Sequence, residues 1–251
     1  MPTEQIERGE PGIVNKKIVI SCEHAGNRVP EFYEYLFEQN PSVLETHRGY
    51  DIGALELTKT LSEQLEVTPY THPVTRLLVD LNRSLHNPSA FSEFVHSLEK
   101  EERQALIRDY YEPHRREVEE LISDLIGSGN YVLHLSVHTF TPELHGRIRK
   151  TDVGLLFDPS RPREMEFCTR WRTLLEENSD LKIRLNYPYE GVMDGFSTYL
   201  RKQFTSGHYA GIEVEVNQKF PEEANPDTWK QIQEIIGQTL QETFEGWLQE
   251  E

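Results

Sequence analysis

Short apolar runs rich in β-branched residues alternate with amphipathic segments of helix length along most of the chain, and this alternation restricts the fold more than any other feature. KKIVIS at 16–21 reads as a first strand bounded by turn-formers. RLLVDL at 76–81 reads as a second, and YVLHLSVHTFTPEL at 131–144 as a third that runs into a loop. GLLFDP at 154–159, LKIRLNYP at 181–188 and AGIEVEVNQ at 210–218 continue the series. Between them, 53–65 carries Leu55, Leu57, Leu61 and Leu65 among polar residues, as a surface helix does. Residues 99–126 form the longest helical stretch, with a kink or break expected at Pro113. Segments 165–177, 195–204 and 227–250 are further helices. Strands alternating with helices predict an α/β sandwich around a mixed or mostly parallel sheet. No repeat, low-complexity tract or boundary interrupts the pattern, so residues 1–251 are expected to form a single domain.

Charge narrows the choice of partner. The 43 acidic residues against 26 basic ones leave a formal charge of −17, which opposes a sequence-independent grip on nucleic-acid phosphates. An anionic substrate would need a local cationic pocket set against that field. Cys22 and Cys168 are too few and too far apart for a disulfide scaffold or a cysteine-rich zinc site. They are expected to be reduced, inside the cell. The polar start MPTEQIERGEPG is unlike a signal peptide, and no run approaches the ~18 apolar residues of a membrane span. A soluble, cytoplasmic protein without a membrane partner is the expectation. No signature in the sequence specifies an oligomeric state.

Several strands end in polar groups, where ligands of open α/β sheets bind. His24 follows the first strand, either as a turn histidine or as a metal ligand. In the third strand His134, Ser136 and His138 share one face, so His134 competes with His138 as a ligand. Glu213 and Glu215 share the face opposite Ile212, Val214 and Val216. They are either a wet face on an edge strand or two acids that need partners inside a covered sheet. Arg76 lies on the same alternating face as Asn82 if that strand is regular, and Arg83 follows directly. Asp51, just before a helix, can cap its first turn or reach a metal. Two imidazoles and a carboxylate suit Zn²⁺, a further carboxylate suits proton transfer, and arginine suits a substrate carboxylate.

CEHAGNRVP at 22–30, HRGYDIGA at 47–54, VDLNR at 79–83, LHLSVHTFTP at 133–142 and GIEVEVNQ at 211–218 together resemble the N-formylglutamate amidohydrolase family. The similarity spans roughly 17–220 and is specific only as a combination. That family is similar to the zinc-exopeptidase-like hydrolases, with the carboxypeptidases and the aspartoacylase group. The resemblance implies a three-layer sandwich of the zinc-exopeptidase type, with helices on both faces of the sheet. It implies Zn²⁺ held by His24 and His138, a carbonyl-polarising Arg76, and a substrate carboxylate bound by Asn82 and Arg83. Glu213 corresponds to the general base, with Glu215 a rival. The wider group takes its third ligand from H-x-x-E, but here Asn27 stands three residues after His24. Asp51 is therefore the first choice for that ligand and Glu23 the second.

The implied activity is zinc-dependent hydrolysis of a small anionic N-acyl amino acid, best matched by N-formyl-L-glutamate giving formate and L-glutamate. A carboxypeptidase-like enzyme acting on a peptide or cell-wall fragment is the alternative. A non-catalytic anion-binding domain on the same scaffold is the rival from another class. The sequence has neither a Gly-rich phosphate loop nor a G-x-S-x-G elbow, which removes phosphate-loop NTPases and serine hydrolases of that type.

Overall fold

The computed structural model describes residues 15–223 and 225–248. The polar segment 1–12 and the last residues of the expected closing helix lie outside them. In chain order the strands are β1 (Lys16–Cys22), β2 (Tyr70–Thr71), β3 (Tyr131–Phe140), β4 (Glu143–Leu144), β5 (Arg147–Ile148), β6 (Val153–Leu156), β7 (Ile183–Leu185) and β8 (Tyr209–Asn217). The α-helices are α1 (Ala54–Gln64), α2 (Lys100–Leu106), α3 (Glu112–Gly127), α4 (Pro162–Asn178), α5 (Phe196–Gln203), α6 (Lys219–Glu223) and α7 (Pro226–Gly246).

Six strands form one sheet in the order β2-β1-β3-β8-β6-β7, and β4 and β5 make a separate hairpin. The sheet is parallel except where β6 meets β8. Alternation within the strands divides the core in two. Leu133, Leu135 and Val137 of β3 and Ile212, Val214 and Val216 of β8 pack with side chains of α1, α4 and α7, including Leu57, Trp171 and Ile236. On the other face Val19 and Val132 meet Val118 and Ile122 of α3 and Phe196 and Leu200 of α5. The result is the expected three-layer α/β sandwich with a mixed, mostly parallel sheet. All ten residues of β3 are buried, as a central strand covered on both faces requires. Among the described residues no helix is long and apolar enough to cross a membrane.

Three local expectations need correction. RLLVDL at 76–81 is not a strand. Its backbone turns after Thr75, with Leu78 N–H donating to Thr75 O and Asp80 N–H to Ala90 O. Leu77, Leu78, Val79 and Leu81 are buried in a satellite core with Tyr33, Phe37 and Leu106. An apolar run reports burial, and burial alone does not specify extended backbone. With no strand there, the alternating-face relation of Arg76 to Asn82 also lapses. At Pro113 the helix does not break: α2 passes into α3 through a π-helical turn at Ile107–Tyr111, and Pro113 falls in the first turn of α3. Finally, β8 lies between β3 and β6, so Glu213 and Glu215 do not sit on a wet edge strand and both are buried.

Candidate active site

The carboxyl ends of β1, β3 and β8 deliver the polar groups. His24 stands two residues beyond β1, and the backbone there is drawn in by Asp51 N–H donating to His24 O at 3.0 Å. Asp51 precedes α1, whose N-cap is Gly53 at φ +85°. A side chain at Gly53 would be strained and would meet Pro221, so glycine permits the turn that aims Asp51 inward. Asp51 does not cap α1. Its Oδ2 lies 2.8 Å from His138 Nδ1 and 3.4 Å from His24 Nδ1. His24, Asp51 and His138 are all buried, with ligand atoms within 4.8 Å of one another, the one such group among the described residues.

The far nitrogen of each imidazole meets another carboxylate. His24 Nε2 lies 2.7 Å from Asp80 Oδ1, and His138 Nε2 lies 3.1 Å from Glu23 Oε2. Asp80 is in turn held by Arg76 Nη2 at 2.6 Å and Nε at 3.2 Å, while Arg76 Nη1 reaches Asp51 Oδ1 at 3.2 Å. Burial alone would raise the carboxyl of Asp51. The charges and hydrogen bonds of His24 and His138 override it and hold that group well below the usual carboxylate range. Burial likewise opposes charge on His138, yet Asp51 and Glu23 push its pKa well above that of free imidazole.

This arrangement fits a zinc-type ion. Carboxylates on Nε2 fix the tautomer and leave both Nδ1 lone pairs converging beside Asp51, and two nitrogens with one oxygen form a common catalytic zinc set. Glu23, the second choice for a ligand, instead supports His138 from behind. His134 is not part of the set: its Nε2 meets Ser21 Oγ at 2.8 Å and its Nδ1 meets Tyr209 Oη at 3.1 Å. Burial lowers its pKa to about 4, so it is a neutral interior histidine. Asn27, at the position where the wider group carries glutamate, donates to Leu44 O at 3.1 Å, outside the cluster.

The cluster forms the floor of a narrow cleft of about 70 Å³ that is also lined by Arg76, Asn82, Arg83, Glu213, Glu215 and Tyr189. His24, Asp51, Arg76, Asn82, Arg83, His138, Glu213 and Glu215 therefore line one cleft, whereas His134 and Glu23, the alternative ligands, do not. Glu215 is the β8 partner of His138 in register. Its Oε2 is buried without a hydrogen-bond partner, and burial pushes its pKa up to about 8. Glu213 pairs in register with Ser136, one step deeper in the sheet. Asn82 is largely committed to its surroundings, with Oδ1 accepting from Phe196 N at 2.6 Å and Nδ2 lying 3.2 Å from His138 Nε2. Arg83 Nη1 donates to the carbonyls of Asp194 at 2.7 Å and Asn82 at 3.1 Å, with no ion-pair partner among the described residues. The cleft adjoins a wider basin of about 320 Å³ lined by Arg48, Arg76 and Arg83 together with Asp51 and Asp80. Arg76 is paired with both acids and Arg48 with Glu93, which leaves Arg83 as the basin arginine without an ion pair among the described residues.

Asp80, Tyr189, Met193 and Asp194 were not expected at the site. Asp80 had a signal in the sequence, an acid inside the apolar run RLLVDL. The 189–194 loop had none.

Buried histidines and carboxylates at the ends of parallel strands, arranged to hold a cation, define a metal-dependent hydrolase of the α/β class. The family model described as N-formylglutamate amidohydrolase matches residues 16–220, and the chain belongs to that family. Its structure is similar to that of gene product Atu2144 from Agrobacterium tumefaciens, at 26% identity and a TM-score of 0.78, covering 94% of this chain and 93% of the other. It shares its fold with N-formylglutamate amidohydrolase from Ralstonia eutropha JMP134, at 16% identity and a TM-score of 0.68, covering 92% and 94% of the two chains. No curated protein sequence matches the chain significantly.

Proposed function

We propose that the protein hydrolyses the amide bond of a small N-acyl amino acid, with N-formyl-L-glutamate as the best-fitting substrate and formate and L-glutamate as products. The observation that carries this reading is the placement of the His24–Asp51–His138 group and Glu215 in one small cleft with Arg83, an arginine without an ion-pair partner among the described residues. When bound by those three residues, Zn²⁺ supplies Lewis acidity to the acyl carbonyl and to the attacking water.

The chain's own groups carry the remaining steps. Glu215 takes a proton from the water as its oxygen bonds to the acyl carbon, and returns it to the nitrogen as the C–N bond breaks. Burial raises the Glu215 pKa, which makes its carboxylate a stronger base toward the water; the acid so formed then gives the proton to the leaving nitrogen. Arg76 faces the cleft with part of its guanidinium exposed and offers its remaining N–H groups to the oxyanion. Arg83 clamps the substrate carboxylate, and Asn82 accepts from Phe196 N–H and so holds the start of α5 beside the cleft.

The small inner cleft favours a short acyl group over a peptide or cell-wall fragment. The test is release of the free amino acid by the zinc-loaded protein from N-formyl-L-glutamate, beside N-acetyl-L-glutamate, N-formyl-L-leucine and glutamate-containing dipeptides. Preference for the formylated acidic amino acid supports the proposal. A zinc-loaded protein that cleaves only the dipeptides, or nothing in the panel, overturns it.

A further inference from the structure

Glu23 touches neither substrate nor metal in the reaction above, yet it is completely buried one residue from His24. Its Oε2 accepts from Ser136 Oγ at 2.5 Å and faces His138 Nε2 at 3.1 Å. Its other oxygen, Oε1, lies 3.7 Å from Nε2 of His114 on α3. Glu23 Oε1 and His114 Nε2 are both buried without a hydrogen-bond partner, and they face each other at 3.7 Å. An ionised carboxylate with one oxygen unbonded in the interior is costly, and a facing imidazole N–H removes much of that cost.

The local helix geometry brings His114 to this place. In a regular helix consecutive side chains diverge by about 100°, yet α3 buries both His114 and Arg115. The π-helical turn at Ile107–Tyr111 lies immediately upstream and alters the rotation with which α3 begins. Arg115 takes its own partners, donating to Leu81 O at 2.7 Å and stacking over Phe196. His114 is left facing Glu23, its ring wedged between His72 and Phe196 at centroid distances of 5.7 and 6.4 Å.

We propose that His114 is a positioning residue for the metal centre, facing Glu23 so that Glu23, together with the Ser136 hydroxyl that lies 2.9 Å from His138 Nε2, fixes the His138 ring with Nδ1 turned toward Asp51. This rests on the reading of His24, Asp51 and His138 as metal ligands. His114 itself meets neither the ion nor the substrate. Partners one step behind a ligating histidine typically change metal affinity by about 10–100-fold when removed.

The experiment is zinc affinity, measured by competition with a chromophoric chelator on the metal-free full chain, for wild type, His114→Phe, His114→Ala and His114→Gln. Thermal melts of the metal-free forms establish that each is folded. Phenylalanine keeps the ring's bulk without a donor, whereas glutamine keeps an N–H. The expected result is an affinity loss of about tenfold or more for Phe and Ala, with Gln close to wild type. In a Glu23→Gln background, His114→Phe should then add little further loss, because the two residues act in series.

Wild-type affinity in His114→Phe, or equal losses in all three variants, overturns the assignment in favour of simple packing. If Phe does not fold, the comparison of Ala with Gln decides in the same way. Zinc binding with the expected variant pattern but no deacylation overturns the proposed function and leaves this inference standing. A wild-type chain that binds no zinc overturns both.

Discussion

His138 of β3 and Glu215 of β8 are register partners on adjacent parallel strands. The pairing sets an imidazole of the candidate metal group and a carboxylate at the same level of the sheet and on the same face. Glu213 belongs one step deeper, opposite Ser136. Glu215→Gln is therefore expected to lower kcat by about 10²–10⁴-fold while zinc stoichiometry stays at that of wild type. Glu213→Gln should cost much less. Steady-state kinetics with elemental analysis of the same samples decides between them, and the reverse ranking would make Glu213 the base.

His24→Ala, His138→Ala and Asp51→Asn each remove one of three converging donors. Each variant is expected to purify with far less than one zinc per chain under conditions where wild type holds about one, and to lose activity accordingly. Retention of full zinc by Asp51→Asn would point to another third ligand.

Asp80 meets His24 Nε2 and both ends of the Arg76 fork, so it orients a ligand and an arginine together. Asp80→Asn keeps the shape and loses the charge. The expectation is a zinc affinity lower by about 10–100-fold in chelator competition. Some loss of thermal stability should accompany it, since Arg76 would remain half-buried with Asp51 as its main counter-charge.

Arg83 lines both the cleft and the adjoining basin but makes no hydrogen bond to His24, Asp51 or His138. Arg83→Met should raise KM by about 10–100-fold, the value of a charge-assisted pair, with a smaller effect on kcat. A selective fall in kcat would instead place Arg83 at the reacting carbonyl.

His134 gives a pH dependence that is independent of catalysis. Burial lowers its pKa to about 4 in the folded chain, against about 6.5 when unfolded. The unfolded state therefore binds more protons between those values, and folding stability drops as pH falls through that window. The contribution is intact above about pH 6.5 and diminishes by about 1.4 kcal/mol per pH unit below it, until about pH 4. Urea unfolding of the metal-free wild type and of His134→Asn at pH 7, 5.5 and 4.5 isolates this slope as the difference between them, because Glu215 and His72 titrate over the same range in both. His134→Asn should be less stable at neutral pH but flatter over the same range.

Local pattern made much of the architecture legible. Alternation in YVLHLSVH placed His134, Ser136 and His138 on one face, as found in β3, and IEVEV did the same for Glu213 and Glu215 in β8. The failures have local causes. RLLVDL carries the composition of a strand but is buried as a turn, because its backbone bonds to Gly49, Thr75 and Ala90 rather than to a neighbouring strand. Pro113 marks an irregular stretch of helix, but the irregularity is a π turn just ahead of it. His114 carried no signal, since a histidine on an amphipathic helix looks the same whether or not a carboxylate waits behind it.

The sequence by itself determined the α/β alternation, the faces of the central strands and the residues able to bind a cation, because periodicity and side-chain chemistry are properties of short segments. Only the tertiary structure decided that Asp51 turns to the histidines instead of capping α1, that His134 is held by Ser21 and Tyr209, and that Asp80 and Glu23 stand behind His24 and His138. Those choices depend on strand order and register, which bring side chains from distant segments within a few ångströms of each other. In that buried setting a charge is stable only where a partner from another segment meets it.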